Sequence, residues 1–110
     1  MHLSDYLSED LISIDLNFEN KYQAIEYLTH KLHQTGKIEN LAQALQDVTE
    51  REQYLSTGLE NGLAVPHGKS KAVKEMILTL GISRNGIDFD SLDGKPAQLL
   101  FLIVSPKDSS

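Results

Sequence analysis

The run "QLLFLIV", residues 98–104, limits what this 110-residue chain can fold into more than any other stretch. A short apolar run without alternation reads as a strand covered on both faces, because a strand with one wet face alternates apolar and polar side chains. Only two segments have the helical periodicity needed to cover it. In the first, Asn20 and Gln23 resemble a capping box, and Ala24, Ile25, Leu28 and Leu32 form an apolar stripe that stops at Gly36. In the second, Asn40 and Gln43 repeat the cap, and the stripe of Leu41, Leu45 and Val48 runs on toward Arg51. Two helices cover one face of a sheet, so a partner subunit or more of the same chain is expected on the other. The closing "PKDSS" reads as a loop rather than a natural end. Residues 1–110 are therefore expected to be a single domain truncated at its C-terminus, with C-terminal helices missing.

Further strands are signalled by "LISIDL" (11–16), "GLAV" (62–65), "MILTLGI" (76–82) and "GIDF" (86–89), with turns at "RNG" and "LDGKP". Together they predict an α/β (α+β) fold, a mixed β-sheet of about four to five strands flanked by helices.

Composition removes several functional classes. The absence of cysteine excludes disulfide frameworks, zinc–thiolate sites and thiol chemistry. Sixteen acidic against ten basic residues give a formal charge of −6, which repels nucleic acid and anionic membranes and favours a basic protein partner. No apolar run approaches the ~20 residues of a membrane span, and "MHLSDYLSEDL" lacks the layout of a signal peptide, so a soluble cytoplasmic protein is expected. No Walker loop, G-x-G-x-x-G turn, H-E-x-x-H or EF-hand pattern occurs, and no cofactor is predicted. Glu26, His30 and His33 have a spacing that a metal can use, but all three fall opposite the apolar stripe of the first helix and read as its solvated face.

His67 stands apart. Pro66 fixes its own φ and pushes Val65 extended, and Gly68 after the histidine permits a sharp bend, so the imidazole is expected on a stiff approach at a strand end. A neutral imidazole is nucleophilic at physiological pH and can accept a phosphoryl group or a proton. An ordinary turn histidine is the competing reading. Arg51 reads either as a cation complementing the helix dipole or as a guanidinium carried back by "REQYLSTG" to bind two phosphoryl oxygens beside that ring. Thr57 and Gly58 are either simple turn residues or donors of a hydroxyl and a backbone N–H to the same oxygens.

The segments "TERE", "STGLENGLAVPHGK" and "LDGKPAQLLFLIVSP" resemble the enzyme IIA domain of the fructose and mannitol family of the bacterial sugar phosphotransferase system. That family's pattern falls here on Arg51 and Glu52, on Ser56, Thr57 and Gly58, and on Gly62, Leu63, Ala64, Val65, Pro66 and His67. The resemblance implies a phosphocarrier with a phosphohistidine intermediate. His67 would take a phosphoryl group from the histidine-containing phosphocarrier protein and pass it to a IIB domain, with a membrane IIC partner engaged indirectly. It assigns phosphoryl stabilisation to Arg51, and it implies a mixed sheet with helices on both sides. It also implies a second active-site histidine, which this sequence stops short of. A regulatory module of the same fold, nitrogen-related or attached to a transcription regulator, stays open, as does a plain binding module in which His67 has no chemistry. Self-association through the uncovered sheet face is a further expectation.

Overall fold

The structure, a computed structural model, describes His2 and residues 5–108; Ser109 and Ser110, the end of the expected terminal loop, lie outside the described residues. In chain order it consists of β1 (Ile12–Ser13), α1 (Lys21–His33), α2 (Leu41–Tyr54), β2 (Leu63–Ala64), β3 (His67–Lys69), β4 (Ile77–Ile87) and β5 (Ala97–Ser105), with a short 3-10 turn at Glu9–Leu11.

Both helices begin where their caps predict. The Asn20 side-chain oxygen accepts from the N–H groups of Tyr22 and Gln23 at 3.0 and 3.1 Å, while Gln23 reaches back to the N–H of Glu19 rather than to that of Asn20. Asn40 accepts from the Gln43 N–H at 3.1 Å, but Gln43 turns its amide forward to Asp47. Such a cap is worth about 1 kcal/mol. The first helix buries Ala24, Ile25, Leu28 and Leu32 as its stripe requires, and past His33 the chain turns at Gly36 with φ 81°. The second buries Ala44, Val48 and Glu52, leaving Leu41 and Leu45 half-buried.

The mixed sheet has the order β1-β4-β5-β2, with β3 also paired to β5; β4 and β5 are antiparallel and the other pairs parallel. Register sorts the side chains by face. Gly81 opposite Leu100, Thr79 opposite Leu102 and Ile77 opposite Val104 face the helices and are buried. Gly81 leaves room on this face for the neighbours packed over it, since a Cβ there would stand 2.6 Å from the Leu16 side chain and 3.2 Å from that of Leu28 in α1. Ile82 opposite Leu99, Leu80 opposite Phe101 and Leu78 opposite Ile103 lie on the second face, as does Ile12 of β1. Among the described residues no helix covers that face: Ile12 and Leu99 are 39% and 36% exposed, and Leu80, Ile82, Phe101 and Ile103 are half-buried.

Three strand expectations are corrected. "RNG" is not a hairpin turn, because β4 continues through it to Ile87. The register slips between Ile82↔Leu99 and Ile87↔Ala97, so the extra residues of β4 form a bulge, with Gly86 at φ 81° pressed on Pro96. The chain reverses only after Ile87, through the segment that contains "LDGKP". "LISIDL" pairs over Ile12–Ser13 alone, since Asp15 adopts φ 59° and turns the backbone off the sheet, although the Leu16 N–H still reaches the Ile82 carbonyl at 3.0 Å. "GLAV" ends as a strand at Ala64.

Candidate functional site

Strands β2 and β3 form one lane along the edge of β5, broken at Val65–Pro66. The register is continuous across the break, with Leu63 opposite Leu99 and His67 opposite Ile103. Proline has no N–H to give a ladder, so the strand lapses there, yet the Pro66 carbonyl still accepts from the Ile103 N–H at 3.0 Å. Val65 turns its own groups elsewhere. Its N–H donates to the Thr57 carbonyl at 3.1 Å, and its carbonyl lies 2.8 Å from Nδ1 of His67.

That last contact fixes the chemistry of the ring. A carbonyl oxygen only accepts, so Nδ1 must carry a proton, and in the neutral imidazole Nε2 then holds the lone pair. His67 is half-buried and opens β3 instead of closing the strand before it. Gly68 also has a different job from the one expected. It is extended, without positive φ, and a Cβ on it would stand 3.1 Å from the Val48 Cα and 3.2 Å from the Asp47 carbonyl carbon and oxygen. The glycine lets α2 lie directly on β3, and this close approach brings the last turns of the helix beside the histidine.

An open cleft of about 490 Å³ results, lined by Asp47, Glu50 and Arg51 of α2 and by His67, Gly68 and Lys69 of β3. Arg51 and His67 are thus brought together. The arginine also meets its helix-end reading, because Nη1 donates to the Leu55 carbonyl at 2.7 Å. The remaining N–H groups of the guanidinium are enough for a bidentate hold on an anion. Two carboxylates and two cationic side chains share the cleft, with Asp47, Glu50 and Arg51 on the helix wall and Lys69 on the strand wall.

Thr57 and Gly58 are placed differently from the donors expected. Thr57 is buried and commits both its donors to Glu52, the N–H to Oε2 at 3.0 Å and the hydroxyl to Oε1 at 2.5 Å. The Gly58 N–H goes to the Ser56 hydroxyl oxygen at 3.1 Å, and the Ser56 hydroxyl itself donates to the Phe89 carbonyl. Both residues support the cleft from behind. Gly58 is required there because a Cβ would stand 2.7 Å from the Phe89 carbonyl oxygen and 2.8 Å from the Ser91 Cα.

Sequence reasoning missed what lies behind Thr57. The Lys21 ammonium sits 3.1 Å from Oε2 of Glu52 and 3.1 Å from Oδ2 of Asp90, with Lys21 and Glu52 both buried. Burial pulls the lysine pKa down, but the hydrogen bonds to Asp90 and Glu52 outweigh it and leave the group above its ordinary value. A signal was present. Lys21 continues the Ala24, Ile25, Leu28 stripe backward and Glu52 continues the Leu41, Leu45, Val48 stripe forward, so each helix carries one charge at a core position. Glu26, His30 and His33 are exposed on the outer side of α1.

The family profile described as "Phosphoenolpyruvate-dependent sugar phosphotransferase system, EIIA 2" matches residues 5–110. The "PTS system fructose-specific EIIA component" of Haloferax volcanii is 38% identical over 97 residues, 88% of this chain and 63% of that protein. The "PTS system fructose-specific EIIABC component" of Bacillus subtilis is 30% identical over 105 residues, 96% of this chain but 16% of that protein, so the chain spans only part of these relatives. Among solved structures, the nitrogen regulatory protein IIA-Ntr of Neisseria meningitidis superposes with a TM-score of 0.87 at 28% identity, covering 97% of this chain and 73% of that one. The fold and the profile agree, and the chain belongs to the type 2 EIIA family of the phosphoenolpyruvate-dependent sugar phosphotransferase system.

Proposed function

We propose that this chain is a phosphocarrier domain of a sugar phosphotransferase system. The observation that carries the reading is the 2.8 Å contact of His67 Nδ1 with the Val65 carbonyl, which leaves the Nε2 lone pair free in a cleft shared with Arg51. In the forward step that lone pair attacks the phosphorus of a phosphohistidine on the histidine-containing phosphocarrier protein. The Nε2–P bond forms as the donor's N–P bond breaks, and the donor ring leaves with the electron pair. Transfer to a IIB domain repeats the displacement with His67 as the leaving group. Arg51 neutralises the equatorial oxygens in both directions, which is most of what phosphoryl transfer asks of a protein. The combined naming of A, B and C parts in the Bacillus relative supports IIB and IIC partners, and the charge of −6 supports a cationic donor. Cytoplasmic placement belongs to the same proposal; among the described residues no helix is long and apolar enough to cross a membrane.

Incubation with labelled, phosphorylated carrier protein tests it. Acid-labile, base-stable label is expected on Nε2 of His67 and absent from His67→Gln; label retained by that variant refutes the assignment. A second reading, a regulatory module whose phosphorylation state controls partner binding, is favoured by the likeness to the nitrogen regulatory protein. Passage of the label onward to a IIB domain supports the transport role, and retention on His67 supports the regulatory one.

The unhelped second face of the sheet supports one more element of this reading: the domain continues past residue 110 in helices that cover Leu80, Ile82, Leu99 and Phe101.

A further inference from the structure

We infer that Glu52, held by Lys21, is a positioning residue that sets both halves of the phosphoryl site without touching either the phosphoryl group or the imidazole. The inference rests on the function proposed above. Three donors converge on the one buried carboxylate: the Lys21 ammonium and the Thr57 N–H on Oε2, and the Thr57 hydroxyl on Oε1. From Thr57 an unbroken run of hydrogen bonds leads to the catalytic ring. The Val65 N–H donates to the Thr57 carbonyl at 3.1 Å, and the Val65 carbonyl accepts from Nδ1 of His67 at 2.8 Å. In the other direction Glu52 is the neighbour of Arg51 in the last turn of α2. Pinning its carboxylate to the 55–58 turn fixes the rotation of that turn, and with it the point from which the guanidinium reaches the cleft.

Stability alone does not account for this arrangement. A buried ion pair is often matched or bettered by apolar residues of similar volume, because desolvation costs as much as the pairing returns. Both charges stand at stripe positions where an apolar side chain would pack. What an apolar pair cannot supply is an acceptor for the two Thr57 donors, and Thr57 is the link to Val65 and His67. Asp90, 71% exposed on its side chain, holds the ammonium from the solvent side and ties the β4–β5 connection into the same brace.

The test separates bracing from stability in the full-length protein. Lys21→Met combined with Glu52→Leu leaves no unpaired buried charge and is expected to fold cooperatively, with a thermal midpoint lowered only by the two Thr57 donors it strands. Phosphoryl transfer to His67 is expected to fall by roughly 10- to 100-fold, the scale of a small misplacement of reacting groups. Nitrogen-15 spectra of the unphosphorylated protein are expected to show the His67 ring shift from the pure Nδ1–H tautomer to a mixture. Lys21→Arg, which keeps the pairing, is expected to keep both the wild-type rate and the tautomer. Should the double variant not fold, Glu52→Gln serves, and its folded form is expected to show the same two changes. A wild-type rate and an unmixed tautomer in a folded variant overturn the inference. Failure of the wild type itself to take label would instead overturn the phosphocarrier reading, and the tautomer measurement stands independently of it.

Discussion

Arg51 and Leu55 close a ring at the end of α2: the Leu55 N–H donates to the Arg51 carbonyl at 3.3 Å, and the Arg51 guanidinium returns a bond to the Leu55 carbonyl at 2.7 Å. The helix terminus thus holds the guanidinium in place before any anion arrives. A lysine at this position keeps the charge at the helix end, a contribution of about 0.3–1 kcal/mol, but loses the planar fork. Arg51→Lys is therefore expected to leave the melting temperature nearly unchanged and to slow transfer to His67 by ~10²-fold or more. Rapid-quench kinetics with the phosphorylated carrier protein measure this, and an unaltered rate would reduce Arg51 to a helix-end cation.

Gly68 is expected to tolerate no side chain. The atoms that a Cβ would meet are backbone atoms of Asp47 and Val48, which cannot swing aside, so α2 must move as a unit. Gly68→Ala is expected to cost about 1–3 kcal/mol, as overpacking generally does, and to shift Arg51 away from His67. Urea unfolding together with transfer kinetics checks both effects; an alanine variant as stable and as fast as the wild type would show that the helix does not rest on the strand at this point.

Much of this architecture was legible in the sequence because it rests on local chemistry. Asn20 and Asn40 mark helix starts through bonds spanning two or three residues, and "QLLFLIV" marks a strand by composition alone. Errors arose where a distant neighbour decided the outcome. Gly86 looks like a turn glycine until Pro96 is seen against it, and Gly68 looks like a bend until α2 is laid on it. The His67–Arg51 pairing was suggested by spacing and motif, whereas the Lys21–Glu52–Asp90 cluster joins residues up to 69 positions apart and needs the fold to be seen.

Alkaline titration should report on that cluster. The folded-state pKa of Lys21 is raised above its ordinary 10.5. Its stabilising contribution is accordingly complete below that value and is lost as pH climbs through the folded value. Wild-type stability is expected to fall more steeply above pH 10.5 than that of Lys21→Met, which has no ammonium to lose. Chemical denaturation between neutral and strongly alkaline pH gives the two slopes, and parallel profiles would contradict the assignment.

Apolar side chains on the second sheet face set the solution behaviour of residues 1–110. Leu80, Ile82, Leu99 and Phe101 form a contiguous surface of the kind that marks an interface. The 110-residue chain is expected to self-associate through it, or to be less stable than a chain longer by about forty residues, a length within ordinary domain sizes. Each large side chain newly covered contributes roughly 1.5–3 kcal/mol before entropy costs. Sedimentation of both forms, and of Leu99→Glu in the shorter one, decides the matter. A shorter form that is monomeric and as stable as the longer one would mean that this face needs no cover.

The break at Val65–Pro66 also governs how anything can approach the histidine. A guest peptide that extended the sheet at this border would need a continuous row of main-chain donors and acceptors to zip against. Along β2 the border is already taken by the 57–59 segment, whose Leu59 N–H donates to the Leu63 carbonyl at 2.8 Å and whose Thr57 carbonyl accepts from the Val65 N–H at 3.1 Å; β3 is three residues long and follows an imino acid, and the Val65 carbonyl before it is already engaged by the imidazole. Extended guests therefore find no template beside His67. Access is left to preformed surfaces that meet the cleft face-on and withdraw again intact, the kind of brief contact that a relay of phosphoryl groups between folded domains requires.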